Sequence, residues 1–260
     1  MEMGNQQILI TGATGGIGRA FSFMCARNQA HLHLVCRKPE EDLVLQLKLA
    51  GALSVTVWTA DLSRKNDVND LCQRLSSQRI DILFNNAGLL TGGLMEAQSL
   101  DEIYSMLQVN LASLIHLTHA IIPGMLSRKH GKVINNSSVS AYMNFPCAST
   151  YAASKAGVAA FTKSLELELK GTGVSTLLLI TPGIRTRMFD QIGPLYEKNL
   201  EVPDKAMRPE DYALKLERAI KKDHKYFIPS LLSLEGLGLF ATKYMESIFN
   251  FFVLLKFKRS

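Results

Sequence analysis

Tyr151 and Lys155 stand four residues apart, a spacing that puts both side chains on one face of a helix. The pairing has a chemical use. A phenol titrates near about 10, and a neighbouring ammonium stabilises phenolate, bringing the group toward working pH as a general acid/base. Upstream, Gly131-Lys132-Val133-Ile134-Asn135-Asn136-Ser137-Ser138-Val139 reads as a strand ending in serines. Near the N-terminus an apolar run enters Thr11-Gly12-Ala13-Thr14-Gly15-Gly16-Ile17-Gly18, after which a helical pattern begins. Gly12 permits a tight turn and Gly18 close helix–strand packing. The glycines between them let main-chain N–H groups approach a pyrophosphate, with the helix dipole adding favourable charge. Arg37-Lys38 follows the second apolar run, with no carboxylate before Glu40. An acidic residue there would bind a ribose 2′-hydroxyl, whereas basic ones suit a 2′-phosphate, so NADP(H) is expected in preference to NAD.

These groups need a scaffold, and the pattern supplies one. Strand-like runs fall at 7–11, 31–36, 54–59, 80–84, 132–137, 174–180 and 226–228, alternating with helical patterns near 16–28, 39–50, 64–77, 99–127, 150–170 and 209–222. Ser99 with Glu102 forms a capping box, and Pro209 followed by Glu210 and Asp211 reads as a first helical turn. Strands rich in Val, Ile and Leu that alternate with helices predict an α/β fold with a parallel sheet covered on both faces. No linker or repeat divides the chain. Residues 1–260 are expected to form one domain, with an insertion at 187–207 and an extension at 231–260.

The chain has 260 residues, 47% hydrophobic and 20% charged, which rules out disorder, collagen and coiled coil. Four cysteines (Cys25, Cys36, Cys72, Cys147) lie without a C-x-x-C pair, pointing to a reducing, cytoplasmic setting rather than a disulfide framework or zinc site. The polar residues 1–6 leave no room for a signal peptide. Residues 103–127 lack Asp, Glu, Lys and Arg but carry Gln108, Asn110, His116, His119 and Pro123, so they read as a helix buried in protein. His116 and His119 have no accompanying ligand and read as packing or surface histidines; no metal site is expected. The net charge of +6 admits nucleic acid, an anionic membrane or a phosphate-bearing ligand.

Asn85-Asn86-Ala87-Gly88 closes the fourth strand, and Asn110 interrupts the long helix after it. Together with the glycine turn, the Ser138 strand and Tyr151-x-x-x-Lys155, these residues resemble the short-chain dehydrogenase/reductase family over residues 7 to about 230. The resemblance implies a Rossmann-type, doubly wound fold of seven strands in the order 3-2-1-4-5-6-7. It makes Tyr151 the proton donor to a carbonyl, or the base in reverse. Lys155 would lower the phenol's pKa and bind the nicotinamide ribose. Ser138, favoured over Ser137 by its 13-residue gap to the tyrosine, would hydrogen-bond the substrate oxygen. Asn110 would bend its helix and hold a water relaying protons to Lys155. For the cofactor, the resemblance adds Asp61 and Leu62 at the adenine, Asn85, Ala87 and Gly88 on the adenosine side, and Pro182 and Gly183 beside the carboxamide. Thr186 stands one residue nearer that glycine than the family's usual threonine.

The expected activity is NADP(H)-linked interconversion of a carbonyl and a secondary alcohol. The apolar lid residues Met188, Phe189, Ile192, Leu195, Tyr196 and Leu200 favour a lipophilic substrate such as a steroid or acyl ketone. The alternative outside catalysis is a silent dinucleotide-binding regulatory or membrane-associated scaffold protein. A homodimer or homotetramer is expected, and nucleic acid is not. The tail repeats apolar residues at helical spacing and ends in Lys256, Lys258 and Arg259. It could meet an anionic membrane peripherally, or pack on a neighbouring subunit or the substrate cleft.

Overall fold

The first strand, β1 (Gln7–Thr11), is apolar on both faces because it lies inside the sheet: every residue after Gln7 is buried. The computed structural model describes residues 1–193 and 206–229. Residues 194–205 and 230–260, which include most of the expected lid and the whole tail, lie outside the described residues.

Strands β2 (His31–Cys36), β3 (Ser54–Thr59), β4 (Ile82–Asn85), β5 (Gly131–Ser138), β6 (Val174–Thr181) and β7 (Tyr226–Phe227) join β1 in one seven-stranded sheet ordered 3-2-1-4-5-6-7. Every pairing is parallel. The order reverses between β1 and β4, opening at the carboxyl edge the crevice where doubly wound folds bind ligands.

Helices cover both faces. On one lie α1 (Gly16–Arg27), α2 (Glu41–Leu49) and the helix after β6, Pro209–Lys221. Their side chains, Phe21, Met24, Leu47, Tyr212 and Leu216 among them, pack on Ile8, Ile10, Leu32 and Leu34. On the other lie α3 (Lys65–Leu75), α4 (Leu100–Leu107), α5 (Ser113–Arg128) and α6 (Ser149–Glu168). There Leu71, Leu117, Ile121 and Leu165 pack on Leu9, Leu83 and Val133. The short α7 (Arg187–Asp190) follows β6, and Pro209–Lys221 becomes α8. Pro209 occupies the first turn of α8 as expected, with Glu210 and Asp211 beside it.

Several details differ from the sequence reading. β4 starts two residues later than expected; just before it, the Asp81 carboxylate meets the guanidiniums of Arg79 and Arg128 and accepts the N–H of Gln7. β5 and β6 each run one residue further at their carboxyl ends, to Ser138 and Thr181, while β7 closes after two residues. Ser99 is the N-cap of α4, but its side chain makes no capping hydrogen bond, so the capping box is not formed. The helix expected over 99–127 is one run, Leu100–Arg128, with a π turn at Gln108–Ala112 in its middle. That run is long and apolar enough to cross a membrane, but 44% of its most apolar window is buried inside the molecule.

Candidate active site

The turn between β1 and α1 is built as a cradle. Gly12 and Gly16 have φ of +66° and +47°, the left-handed region that side chains disfavour. A Cβ on Gly18 would stand 2.1 Å from the Gly12 carbonyl oxygen, so only glycine allows this helix to approach the strand so closely. The tip is open, since a Cβ on Gly15 would meet nothing within 4 Å. No side chain caps α1 and no acidic residue sits in its first turn, which leaves main-chain N–H groups beside Ala13, Thr14 and Ile17 for an anion. The residues present therefore fit a dinucleotide pyrophosphate. Thr186 closes the cradle despite its shortened spacing. Its Cγ2 lies 2.5 Å from where a Gly16 Cβ would be, and its hydroxyl caps α7 at the N–H of Phe189 (3.3 Å).

Tyr151 is in the first turn of α6, and Lys155 follows one turn later on the same face. Lys155 Nζ lies 5.8 Å from the centre of the Tyr151 ring. The Ser138 hydroxyl, at the end of β5, hydrogen-bonds the phenol, which pulls its pKa down, but burial outweighs this and pushes it up to about 12. Tyr151 itself is half-buried at the edge of the crevice. Burial acts on Lys155 too, lowering its ammonium to about 8. Lys155 is 4% exposed and Nζ donates to the main-chain oxygen of Asn136 at 2.9 Å; among the described residues it forms no ion pair with a carboxylate. Ser137 is turned inward, donating to the Lys155 carbonyl at 2.7 Å, which leaves Ser138 as the serine at the phenol.

Asn110 sits in the π turn, as expected of a residue that bends its helix. Its side chain, however, is occupied. Nδ2 donates to the Leu89 carbonyl (3.0 Å) and Ser154 Oγ (3.1 Å), and Oδ1 accepts the Leu89 N–H (2.8 Å). Both amide hydrogens are thus spent on the loop after β4 and on α6. The four residues converge nonetheless. A Cβ on Gly88 would have Asn110 Oδ1 at 3.5 Å, Met188 Cε at 3.6 Å and Lys155 Nζ at 3.7 Å.

On the adenosine side, Arg37 and Lys38 are exposed beyond β2. Asp61 accepts hydrogen bonds from the Ser63 N–H and hydroxyl, and together with the charges of Arg64 and Arg37 these hold its carboxyl low. Leu62 is buried under α3. The Asn85 side chain points into the core, donating to Thr118 Oγ1 (3.2 Å) and Asn135 Oδ1 (2.9 Å), so it can offer the crevice only main chain. Ala87 N–H is taken by Thr11 Oγ1 at 2.9 Å. Pro182 and Gly183 leave β6 toward the cleft, where the Gly183 carbonyl accepts from Met207 N–H (3.0 Å) and Phe189 closes over the glycine. Reasoning from motifs passed over Asn86, Asn136, Thr181 and Tyr212, which form a hydrogen-bonded polar chain behind the site. The signal available was the pair of asparagines, Asn135 and Asn136, midway along β5.

The sequence model of the short chain dehydrogenases matches residues 6–196. An uncharacterized oxidoreductase of Staphylococcus saprophyticus is 31% identical over 220 residues, covering 80% of this chain and 89% of that one. Human 17-beta-hydroxysteroid dehydrogenase type 3 is 34% identical over 188 residues, 70% of this chain; the match spans 60% of that enzyme's length. Among solved structures, a short-chain dehydrogenase from Sphingobium yanoikuyae in complex with NADPH superposes with a TM-score of 0.82 at 26% identity, covering 94% of this chain and 95% of that one. Glycine cradle, serine-tyrosine-lysine cluster and sequence all agree: the chain belongs to the short-chain dehydrogenase/reductase family of oxidoreductases.

Proposed function

We propose that the protein interconverts a carbonyl and a secondary alcohol using NADP(H), on a lipophilic substrate. The observation that carries this reading is the Ser138–Tyr151–Lys155 cluster at the carboxyl edge, beside a cradle suited to a pyrophosphate. The nicotinamide supplies or accepts the hydride when bound. Tyr151, held protonated by burial, gives its proton to the carbonyl oxygen of the substrate. Ser138 donates a second hydrogen bond to that oxygen, stabilising the charge that builds there. Lys155 supplies a positive charge next to the phenol as it gives up its proton, and its low pKa lets it pass a proton onward near neutral pH. Asn110 holds the loop after β4 against α6 and so fixes the floor of the site.

Arg37 and Lys38 support NADP(H) over NAD, being exposed cations where a 2′-phosphate would project. The apolar group of Leu94, Phe145, Cys147 and Ile192 near Tyr151 supports a lipophilic substrate. A hydroxysteroid dehydrogenase among the relatives is in keeping with this. A panel of ketosteroids, acyl ketones and aldehydes, followed by NADPH and then NADH oxidation, tests the reading. Turnover with NADPH, reversed toward NADH in Arg37→Glu, is expected. Nucleotide binding with no turnover on any carbonyl would instead favour a silent dinucleotide-binding protein.

A further inference from the structure

Behind the site a line of buried and half-buried polar side chains crosses the sheet from the glycine turn to α8. Asn86 Nδ2 donates to the carbonyls of Thr11 (3.1 Å) and Gly12 (3.3 Å). It is wedged in the turn, since a Cβ on Gly18 would stand 2.7 Å from it. Asn86 Oδ1 accepts from Asn136 Nδ2 at 3.1 Å. On the other side, Asn136 Oδ1 accepts the hydroxyl of Thr181, and Thr181 Oγ1 pairs with Tyr212 at 2.7 Å. Because Thr181 has spent its one hydrogen on Asn136, the phenol of Tyr212 must be the donor. Every donor thus points the same way, from Tyr212 through Thr181, Asn136 and Asn86 to the Gly12 carbonyl. Hydrogen bonds so aligned polarise one another. Tyr212 is fully buried and Thr181 and Asn136 nearly so, while Asn86 is half-buried at the turn. At the middle of the line, the main-chain oxygen of Asn136 is the acceptor that holds Lys155 Nζ.

We propose that Asn136 is a positioning residue for the reaction: its side-chain amide clamps the glycine turn to β6 and α8, and its carbonyl thereby sets Lys155 against Tyr151 and the cradle together. This rests on the function proposed above. Tyr212, on a helix remote in sequence from both, is the far anchor of the clamp. A purely structural Asn136 would cost stability alone. A clamp ties two functional readouts to one residue, and to a hydroxyl at the other end of the line.

The test is a double-mutant cycle of Asn136→Leu and Tyr212→Phe in the full chain. The readouts are kcat and KM for a carbonyl substrate, and NADPH affinity by fluorescence. Asn136→Leu is expected to lower kcat and weaken NADPH binding by about tenfold each, with KM for the carbonyl within about twofold. Tyr212→Phe keeps volume and packing against Phe227, and is expected to shift the same two quantities about threefold. In the double variant the Tyr212→Phe effect should vanish, because its path runs through Asn136. Effects that add, or a loss of thermal stability with kcat and NADPH affinity unchanged, would overturn the clamp. Tyr212→Phe alone with unchanged kcat and affinity would do the same, even if Asn136→Leu failed to fold. A wild-type chain that binds NADPH but turns over no carbonyl would sink the proposed function instead, and the NADPH affinities would still report on the clamp.

Discussion

Two lysines lie buried near the two ends of β5, and they are used in opposite ways. Lys132, at the amino end, is 1% exposed; its ammonium meets Asp223 Oδ1 at 2.6 Å and Ser175 Oγ at 2.7 Å. Lys155, against the carboxyl end, donates to the neutral oxygen of Asn136, and burial lowers it to about 8. A buried charge with a carboxylate partner is a structural fastening. One left without a countercharge keeps its proton loosely and marks a place where protons move. Lys132 ties β5 to β6 and to the turn before β7, while Lys155 faces the crevice.

The comparison can be broken most sharply by exchanging each lysine for methionine. Lys155→Met should lower turnover by about 10²–10⁴-fold while leaving the fold as stable or slightly more so, because an uncompensated buried charge is replaced by apolar volume. Lys132→Met should do the reverse: little change in activity per folded molecule, and a lower urea midpoint. Steady-state rates beside urea unfolding decide it. Next in size, Asp223→Asn leaves the Lys132 ammonium buried without its countercharge and should cost about 2 kcal/mol, discounted because Asp223 is 62% exposed. Among the described residues Lys155 has no such countercharge to remove.

A smaller effect follows from pH. Lys155 titrates near about 8 in the fold against an ordinary 10.5, so below 8 both states are charged and the fold bears the full cost of enclosing the ammonium. Between 8 and 10.5 the folded protein sheds the proton first, and this group's contribution to stability rises with pH. The gap in unfolding free energy between Lys155→Met and wild type should therefore narrow by about 1–2 kcal/mol from pH 7 to 9.5. Over the same range carbonyl reduction should decline as the ammonium is lost. Smallest of all, Ser99→Ala should shift the melting midpoint hardly at all, less than about 0.5 kcal/mol, since that hydroxyl caps nothing.

The strand order, the glycine turn and the Ser138–Tyr151–Lys155 grouping were legible because each depends on local type and spacing. Glycine at 12 and 18 answers to backbone geometry, and a four-residue gap places two side chains on one helix face. What sequence could not show depends on three-dimensional enclosure. Burial raises the Tyr151 phenol and lowers the Lys155 ammonium, an effect of surroundings that the four-residue spacing does not carry. The partners of the Asn110 amide, Leu89 and Ser154, lie 21 and 44 residues away, so its grip on the loop after β4 and on α6 was not legible. Asn136, Thr181 and Tyr212 belong to different elements and become a line only when β5, β6 and α8 are laid side by side.

The central claim is that the phenol of Tyr151 handles the substrate proton. Its most direct test is steady-state NADPH oxidation by Tyr151→Phe beside wild type on a reactive carbonyl, with NADPH affinity measured on both. The expected result is a loss of about 10³-fold in turnover with nucleotide affinity within about threefold of wild type. A Tyr151→Phe protein that turns over at the wild-type rate would contradict the account.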